Sequence, residues 1–187
     1  MWYYLCERLT QRMPALRSRE ILIWRVLTYM ATLEHLIATG KLKKHEPDLE
    51  DAELPERVVC FTPELDTWLY DVLRIASRDR GRDLTPFEQT EQIFYDFVIG
   101  RPMAYSIHIR QLDPLRQHVW ELKTTDVRIL GWFPKKAHFV AVCGALKKVI
   151  PRAKHYAPLI NSVVDFRATL DLDEPKSIEG ATLNVVL

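Results

Sequence analysis

Basic residues are concentrated in one stretch of this chain. Residues 101–160 contain eleven Lys and Arg side chains and three Asp and Glu side chains, a balance of +8, whereas the whole chain of 187 residues carries +1. Such a one-sided block of positive charge is typical of a surface that binds a polyanion. The charge distribution therefore predicts a partner with many negative groups.

Four side chains of this region are suited to cleaving a phosphodiester. RNA cleavage by its own 2′-hydroxyl requires a base near that hydroxyl, cations against the phosphate, and a proton donor for the leaving 5′-oxygen. Arg128 suits the phosphate because its guanidinium stays charged and can bind two oxygens at once. Lys123 suits the base if neighbouring cations lower its pKa. His155 and Tyr156 are further candidates for the acid or the base.

Other basic side chains are candidates for contacts with RNA phosphates. Each has a structural alternative, since Lys135 and Lys136 are expected in a solvated turn and Arg128 could pair with Glu121 or Asp126. A surface position is the alternative for His155. The RNA-binding candidates are Lys135, Lys136, Lys147, Lys148, Arg152 and Lys154.

The elements that carry these residues are predicted to be antiparallel strands. From Val127 to Phe133 the odd positions fall on one face of a strand, and Arg128, Leu130 and Trp132 fall on the other. Residues 137–143 are nearly all apolar, as in a strand covered on both faces. A reversal at residues 133–136 predicts a hairpin, with residues 117–123 as its outer neighbour.

Two Thr-Pro sequences predict helix starts ahead of these strands. Thr62 and Thr85 are each followed by a proline and then by an acidic residue within the first turn. The second helix is expected to end at Gly100, and a last helix is expected after Pro151, to about Thr169. The first helix should bury one apolar side, formed by Leu65, Trp68, Leu69, Val72, Leu73 and Ala76.

The predicted fold class is α+β, and the chain divides into four segments. Residues 1–45 are predicted to be an N-terminal helical extension and residues 46–56 an acidic linker. Residues 57–170 form the α+β domain, and residues 171–187 are a C-terminal tail that ends in the β-prone run ATLNVVL.

Several classes of protein are not expected from the composition. Cys6, Cys60 and Cys143 lie far apart and mostly in apolar runs, as reduced thiols of a cytoplasmic protein do. The histidines have no metal-ligand spacing, so neither a metal nor another cofactor is expected. No apolar run approaches the ~18 residues of a membrane span, and no leader sequence is recognised.

The order of several short motifs resembles the HigB branch of the RelE/ParE superfamily, including phage-derived relatives. The motifs are FTPELDTWLYDVL, VWELK, DVRIL, a lysine-bearing turn and GALKK, and they span about residues 57–170. The resemblance implies a RelE-like domain whose antiparallel sheet is packed by helices. It also implies the toxin of a toxin–antitoxin pair, a ribosome-associated, metal-independent mRNA endoribonuclease that inhibits translation and is restrained by a helix-turn-helix antitoxin.

The resemblance assigns roles to Lys123, Arg128, Lys147 and Lys148. After the lysine pair, family members continue with Thr and then Thr-Pro, whereas this chain continues Val149-Ile150-Pro151. Alternatives are therefore a catalytically inactive RelE-fold protein that binds RNA or inhibits a host factor, a ParE-like gyrase inhibitor, and a structural or assembly protein. The N-terminal helices could buttress the domain, form a homodimer, or restrain the basic region through residues 46–56.

Overall fold

The protein is described by a computed structural model that covers residues 33–150, 155–172, 174–180 and 182–187. Six strands form one sheet in the order β1-β2-β6-β5-β4-β3, and all neighbours are antiparallel except β2 and β6. The strands are β1 (Lys43–Lys44), β2 (Val58–Phe61), β3 (Ile109–Gln111), β4 (Trp120–Lys123), β5 (Val127–Lys135) and β6 (His138–Leu146). The helices are α1 (33–38), α2 (Pro63–Thr67), α3 (Pro86–Val98), α4 (Tyr156–Thr169) and α5 (Leu183–Val186).

The sheet separates two apolar layers, which confirms the predicted α+β class. Val127, Ile129 and Phe133 of β5 lie in the layer with α2 and α3, while Leu130 and Trp132 lie in the layer with α1 and α4. The predicted alternation of faces along this strand is confirmed. The central strand β6 is covered on both faces, as its continuous apolar sequence predicted.

The hairpin between β5 and β6 turns later than the sequence predicted. β5 continues through Pro134 to Lys135, which pairs with His138, so the reversal falls on Lys136 and Ala137 rather than on residues 133–136. The ladder shifts register between Trp132 and Lys135. Pro134 is accommodated at this irregularity because a strand proline has no N–H to donate to a ladder.

Both Thr-Pro helix starts are confirmed. Thr62 Oγ1 accepts a hydrogen bond from the amide of Leu65, and Thr85 forms a reciprocal capping box with Glu88. The first helix, however, becomes a π-helix over Trp68–Leu73. Its wider turn keeps Leu69 buried and leaves Val72 half exposed, so the predicted burial of Val72 is wrong.

The segments at either side of the predicted domain contribute to the same sheet and layers. Within the expected N-terminal extension, residues 43–44 form strand β1, and residues 1–32 lie outside the described residues. In the C-terminal tail, the β-prone run contains the short helix α5 instead of a strand. Val186 is fully buried there, and its carbonyl accepts a hydrogen bond from the amide of Ala137 at 2.8 Å. Across the described ranges, no helix is long and apolar enough to cross a membrane.

The capping box of α3 gives a test of these local assignments. Thr85→Ala should lower the free energy of unfolding by about 0.5–2 kcal/mol, because the amide of Glu88 loses its acceptor. Urea unfolding followed by circular dichroism measures the change. Thr67→Ala is the matched control, since Thr67 bonds only a carbonyl within its own helix and should change stability by a few tenths of a kcal/mol. Equal effects of the two substitutions would contradict the capping role.

Candidate phosphate-binding site

One face of strands β3, β4 and β5 carries a group of ionisable side chains beneath the start of α4. The cross-strand register pairs Arg110 with Glu121 and Lys123 with Arg128. Tyr156, the first residue of α4, approaches the same side chains, and its ring lies against the guanidinium of Arg110. These five residues are called the basic cluster below.

Glu121 is the centre of the basic cluster and is fully buried. Its Oε1 accepts a hydrogen bond from Nε of Arg110 at 2.9 Å, and Nε of Arg128 lies 3.9 Å from the same oxygen. A buried carboxylate is costly unless cations and hydrogen bonds compensate its charge. The ion pair between Glu121 and the strand arginine, expected as an alternative role for Arg128, is therefore present and is joined by a second arginine.

The guanidinium of Arg128 is directed into the protein. Its Nη1 donates to the carbonyl oxygens of Thr124 at 2.6 Å and Val127 at 2.7 Å, and the side chain is 11% exposed. These bonds hold the turn between β4 and β5. Arg110 is 37% exposed by the same measure and is the arginine that remains accessible to a ligand.

Lys123 is partly buried between the cations of the basic cluster. Burial lowers the pKa of its amine, and the positive charges of Arg110, Arg128 and Lys147 lower it further, while Glu121 opposes them. Both causes favour the neutral amine. The direction of this shift is the one that a role of Lys123 as a base requires.

Tyr156 has the opposite shift. Burial raises the pKa of its hydroxyl, and the nearby carboxylate of Glu121 raises it further, whereas Arg128 and Arg110 act in the other direction. The guanidinium of Arg110 also lies over the Tyr156 ring, 5.6 Å from its centroid. A hydroxyl of this kind stays protonated near neutral pH and can donate a proton.

The remaining predicted site residues are distributed around the sheet. Lys147 and Lys148 form a 3₁₀ turn after β6, next to the basic cluster. Lys135 and Lys136 lie at the other end of β5, about 23 Å from Arg128 at ~3.3 Å per strand residue, so they do not join it. His155 directly precedes Tyr156 at the N-terminal end of α4. Two predicted RNA contacts, Arg152 and Lys154, lie outside the described residues.

The sequence did not single out Arg110 as a site residue, and it considered Glu121 only as a partner for Arg128. The signal for Glu121 was alternation, since it is a charged residue between the apolar Trp120 and Leu122 in a short strand, whereas Arg110 lies between Ile109 and the polar Gln111 and had no such signal. A second missed feature is the loop before β3, in which Tyr105 and Ile107 are exposed. The carbonyl of His108 in this loop accepts a hydrogen bond from the amide of Lys123 at 2.8 Å, which holds the loop beside the basic cluster.

Other reactive groups lie in different surroundings. Burial raises the pKa of the Cys60 thiol to about 11 and that of Cys143 to about 12, so both thiols are protonated near neutral pH. Across the described part of the chain, no three His, Cys, Asp or Glu side chains form a group that could hold a metal ion.

Comparisons of this chain with protein-family models, with curated proteins and with solved structures find no match. The resemblance to HigB-like toxins is accordingly carried by the short motifs alone. The chemistry of the basic cluster has to be inferred from its own geometry.

Replacement of Glu121 tests the construction of the basic cluster. Glu121→Ala should lower the free energy of unfolding by about 3–5 kcal/mol, because the buried guanidinium of Arg128 loses its compensating charge. Asp96→Ala, which removes the exposed partner of Arg101, is the control and should cost about 0.2–1 kcal/mol. Chemical denaturation of both variants measures the difference. A loss below 1 kcal/mol for Glu121→Ala would show that the carboxylate is dispensable.

Proposed function

We propose that this protein is a HigB/RelE-like, metal-independent endoribonuclease that cuts messenger RNA on the ribosome. The observation that supports this activity most directly is the meeting of Lys123, Tyr156 and Arg110 around the buried carboxylate of Glu121. Together they supply a base of lowered pKa, a protonated donor and an accessible phosphate-binding cation. These are the three groups that cleavage by a 2′-hydroxyl requires.

In the proposed reaction, Arg110 holds the non-bridging oxygens of the scissile phosphate. The neutral amine of Lys123 takes the proton of the 2′-hydroxyl, and the resulting 2′-oxygen forms a bond to phosphorus. The bond from phosphorus to the 5′-oxygen breaks, and that oxygen receives the Tyr156 proton. The products are a 2′,3′-cyclic phosphate and a 5′-hydroxyl, and proton exchange with solvent restores Lys123 and Tyr156.

Glu121 and Arg128 act as positioning residues in this proposal. Glu121 orients Arg110 through their 2.9 Å hydrogen bond, and its charge adds to burial in raising the pKa of the Tyr156 hydroxyl. Arg128 compensates the charge of Glu121 and fixes the turn between β4 and β5. Arg128 was expected to bind the phosphate directly, and the proposal transfers that role to Arg110 because Arg110 is the more exposed of the two.

The motif resemblance implies a helix-turn-helix antitoxin as partner. The scattered cysteines support a cytoplasmic location, and the N-terminal segment, which lies outside the resemblance, is the candidate arm for a homodimer. The +8 balance of residues 101–160 supports a polyanionic partner such as ribosome-bound RNA.

A second candidate function keeps the RNA-binding surface without the cleavage. The observation in its favour is that Arg128 is occupied by two main-chain carbonyls and Glu121, which leaves Arg110 as the accessible arginine of the basic cluster. A ParE-like inhibition of gyrase has no comparable contact in its favour.

Substitution of the proposed base and donor separates these two functions. Lys123→Met and Tyr156→Phe should each reduce cleavage of messenger RNA on translating ribosomes by about 10²–10⁴-fold, because each removes a proton-transfer group. Mapping of new 5′ ends, together with growth after induced expression, measures the effect.

Lys136→Met is the control for this experiment because Lys136 lies in the distant β5–β6 turn, and it should cut as the unaltered protein does. If the unaltered protein binds ribosomes but the messenger RNA shows no new 5′ ends, the RNA-binding function replaces the nuclease. Cleavage that persists in Lys123→Met would remove Lys123 from the mechanism.

The pKa shifts predict the pH dependence of single-turnover cleavage. The rate should rise with pH as Lys123 loses its proton, at lower pH than an ordinary lysine would, and fall as Tyr156 ionises. Glu121→Gln should move both the rising and the falling limb of the pH–rate profile to lower pH, because the carboxylate raises the pKa values of both Lys123 and Tyr156. Limbs that stay in place in Glu121→Gln would contradict these assignments.

A further inference from the structure

A groove of about 280 Å³ opens beside the basic cluster, at the open end of the β5–β6 hairpin, away from its turn. It lies between the turn that follows β6, the turn that precedes β5, and the chain that leads into α3. Its lining includes three cations and two carboxylates, the exposed Asp79 and the partly buried Asp126, together with smaller side chains. The lining residues that matter are Ser77, Arg82, Pro86, Asp126, Lys147 and Lys148.

The floor of the groove is held by Asp126 and Gln89. Nε2 of Gln89 donates to Oδ2 of Asp126 at 2.7 Å, and Oε1 of Gln89 accepts from the Asp126 amide at 3.1 Å. The carbonyl of Asp126 accepts a hydrogen bond from the amide of Lys147 at 2.7 Å. The backbone below the two lysines is therefore fixed before any ligand binds.

The charges of the groove leave its lysines accessible. The carboxylate of Asp126 is engaged by Gln89 and lies 3.6 Å from Nε of Arg82. Lys147 and Lys148 are both exposed, and neither forms an ion pair with a carboxylate among the described residues. Two adjacent ammonium groups above a fixed backbone are suited to a phosphate.

The groove adjoins the basic cluster at the ends of the strands. Arg128 pairs with Ala145, two residues before Lys147, and the Lys147 amide donates a hydrogen bond to the carbonyl of Asp126 in the turn between Lys123 and Arg128. Lys147 is near enough to Lys123 for its charge to lower the Lys123 pKa. Lys147 is therefore a cationic contact close to a strand whose phosphate rests on Arg110 and Lys123. A single RNA strand, which carries a phosphate at every nucleotide, matches this arrangement better than an isolated anion does.

We propose that the groove binds a second phosphodiester of the same RNA strand, on one side of the phosphate that is cut. The inference rests on the proposed function for its ligand, and it assigns to Lys147, Lys148 and Arg82 the holding of the strand rather than proton transfer. A strand held at two phosphates is fixed in direction as well as in position, which brings the 2′-hydroxyl to Lys123.

Binding of uncleavable RNA tests the groove separately from catalysis. Fluorescence anisotropy is measured with a labelled 2′-O-methyl decanucleotide and a labelled 2′-O-methyl dinucleotide that contains one phosphodiester, over a series of salt concentrations. The variant is Lys147→Gln with Lys148→Gln. The control is Lys135→Gln with Lys136→Gln, an equal loss of charge at the other end of β5.

The groove variant should bind the decanucleotide about tenfold more weakly and lower its salt slope by about 0.7, the value for one lost phosphate contact on a single strand. The control pair should keep the original slope, and dinucleotide binding at the basic cluster should be unchanged. Three outcomes would overturn the inference. The two variant pairs could lose equal affinity for the decanucleotide, or the groove variant could lose equal affinity for both ligands. Inorganic phosphate could also compete with the decanucleotide equally well before and after the substitutions.

The outcome for catalysis is independent of this measurement. If the unaltered protein shows the expected binding but cuts no RNA, the proposed function fails and the groove remains. If it cuts RNA while the groove variant binds the decanucleotide normally, the proposed function stands and the groove assignment fails.

Discussion

The buried carboxylate of Glu121 is the constraint on which the arrangement of this surface depends. A carboxylate with no solvent access requires cations, and they come from β3 on one side and β5 on the other. Arg110 and Arg128 meet this requirement differently, since the first keeps an exposed edge and the second is bound to main-chain carbonyls. One carboxylate thereby links side chains of three strands, and of the two arginines Arg110 is the one that keeps an outward edge.

Helix α4, which lies above the cluster, supplies Tyr156 and the burial that shifts the pKa values of the side chains beneath it. α4 packs on the sheet through Ile160 and Val163, and this brings its first residue, Tyr156, over Arg110. Burial under the helix lowers the pKa of an amine and raises that of a phenol, because in both cases the charged form loses solvation. The same desolvation thus favours the neutral amine of Lys123, which can accept a proton, and the protonated hydroxyl of Tyr156.

Local sequence signals were sufficient for much of the fold. The two threonine caps and the alternation along β5 were predicted correctly because each depends on a few neighbouring residues. The later hairpin turn, the π-helix at Trp68–Leu73 and the helical C-terminal run were not predicted, because tertiary packing selected them over local propensity. The last of these packs Val186 into the same apolar layer as β5.

Three of the five residues of the basic cluster were also within reach of the sequence. Lys123, Arg128 and Tyr156 were named from their chemistry, but Arg110 acquires its role only through the register between β3 and β4. That register joins strands of three and four residues, too short to leave a clear pattern. The distance of Lys135 from the cluster, likewise, follows from the length of β5, which no single residue encodes.

The turn between β4 and β5 connects the basic cluster with the groove beside it. Arg128 holds this turn through the carbonyl of Thr124, and Asp126 holds the start of the Lys147 turn through its own carbonyl. Asp126 is in turn held by Gln89, in the first turns of α3, where the Thr85 cap fixes the backbone. Because the contacts run in series, a change in the helix cap can move Lys147 relative to Arg110 without touching either. The spacing of the two proposed phosphate contacts is therefore a property of the α3 start as much as of the sheet.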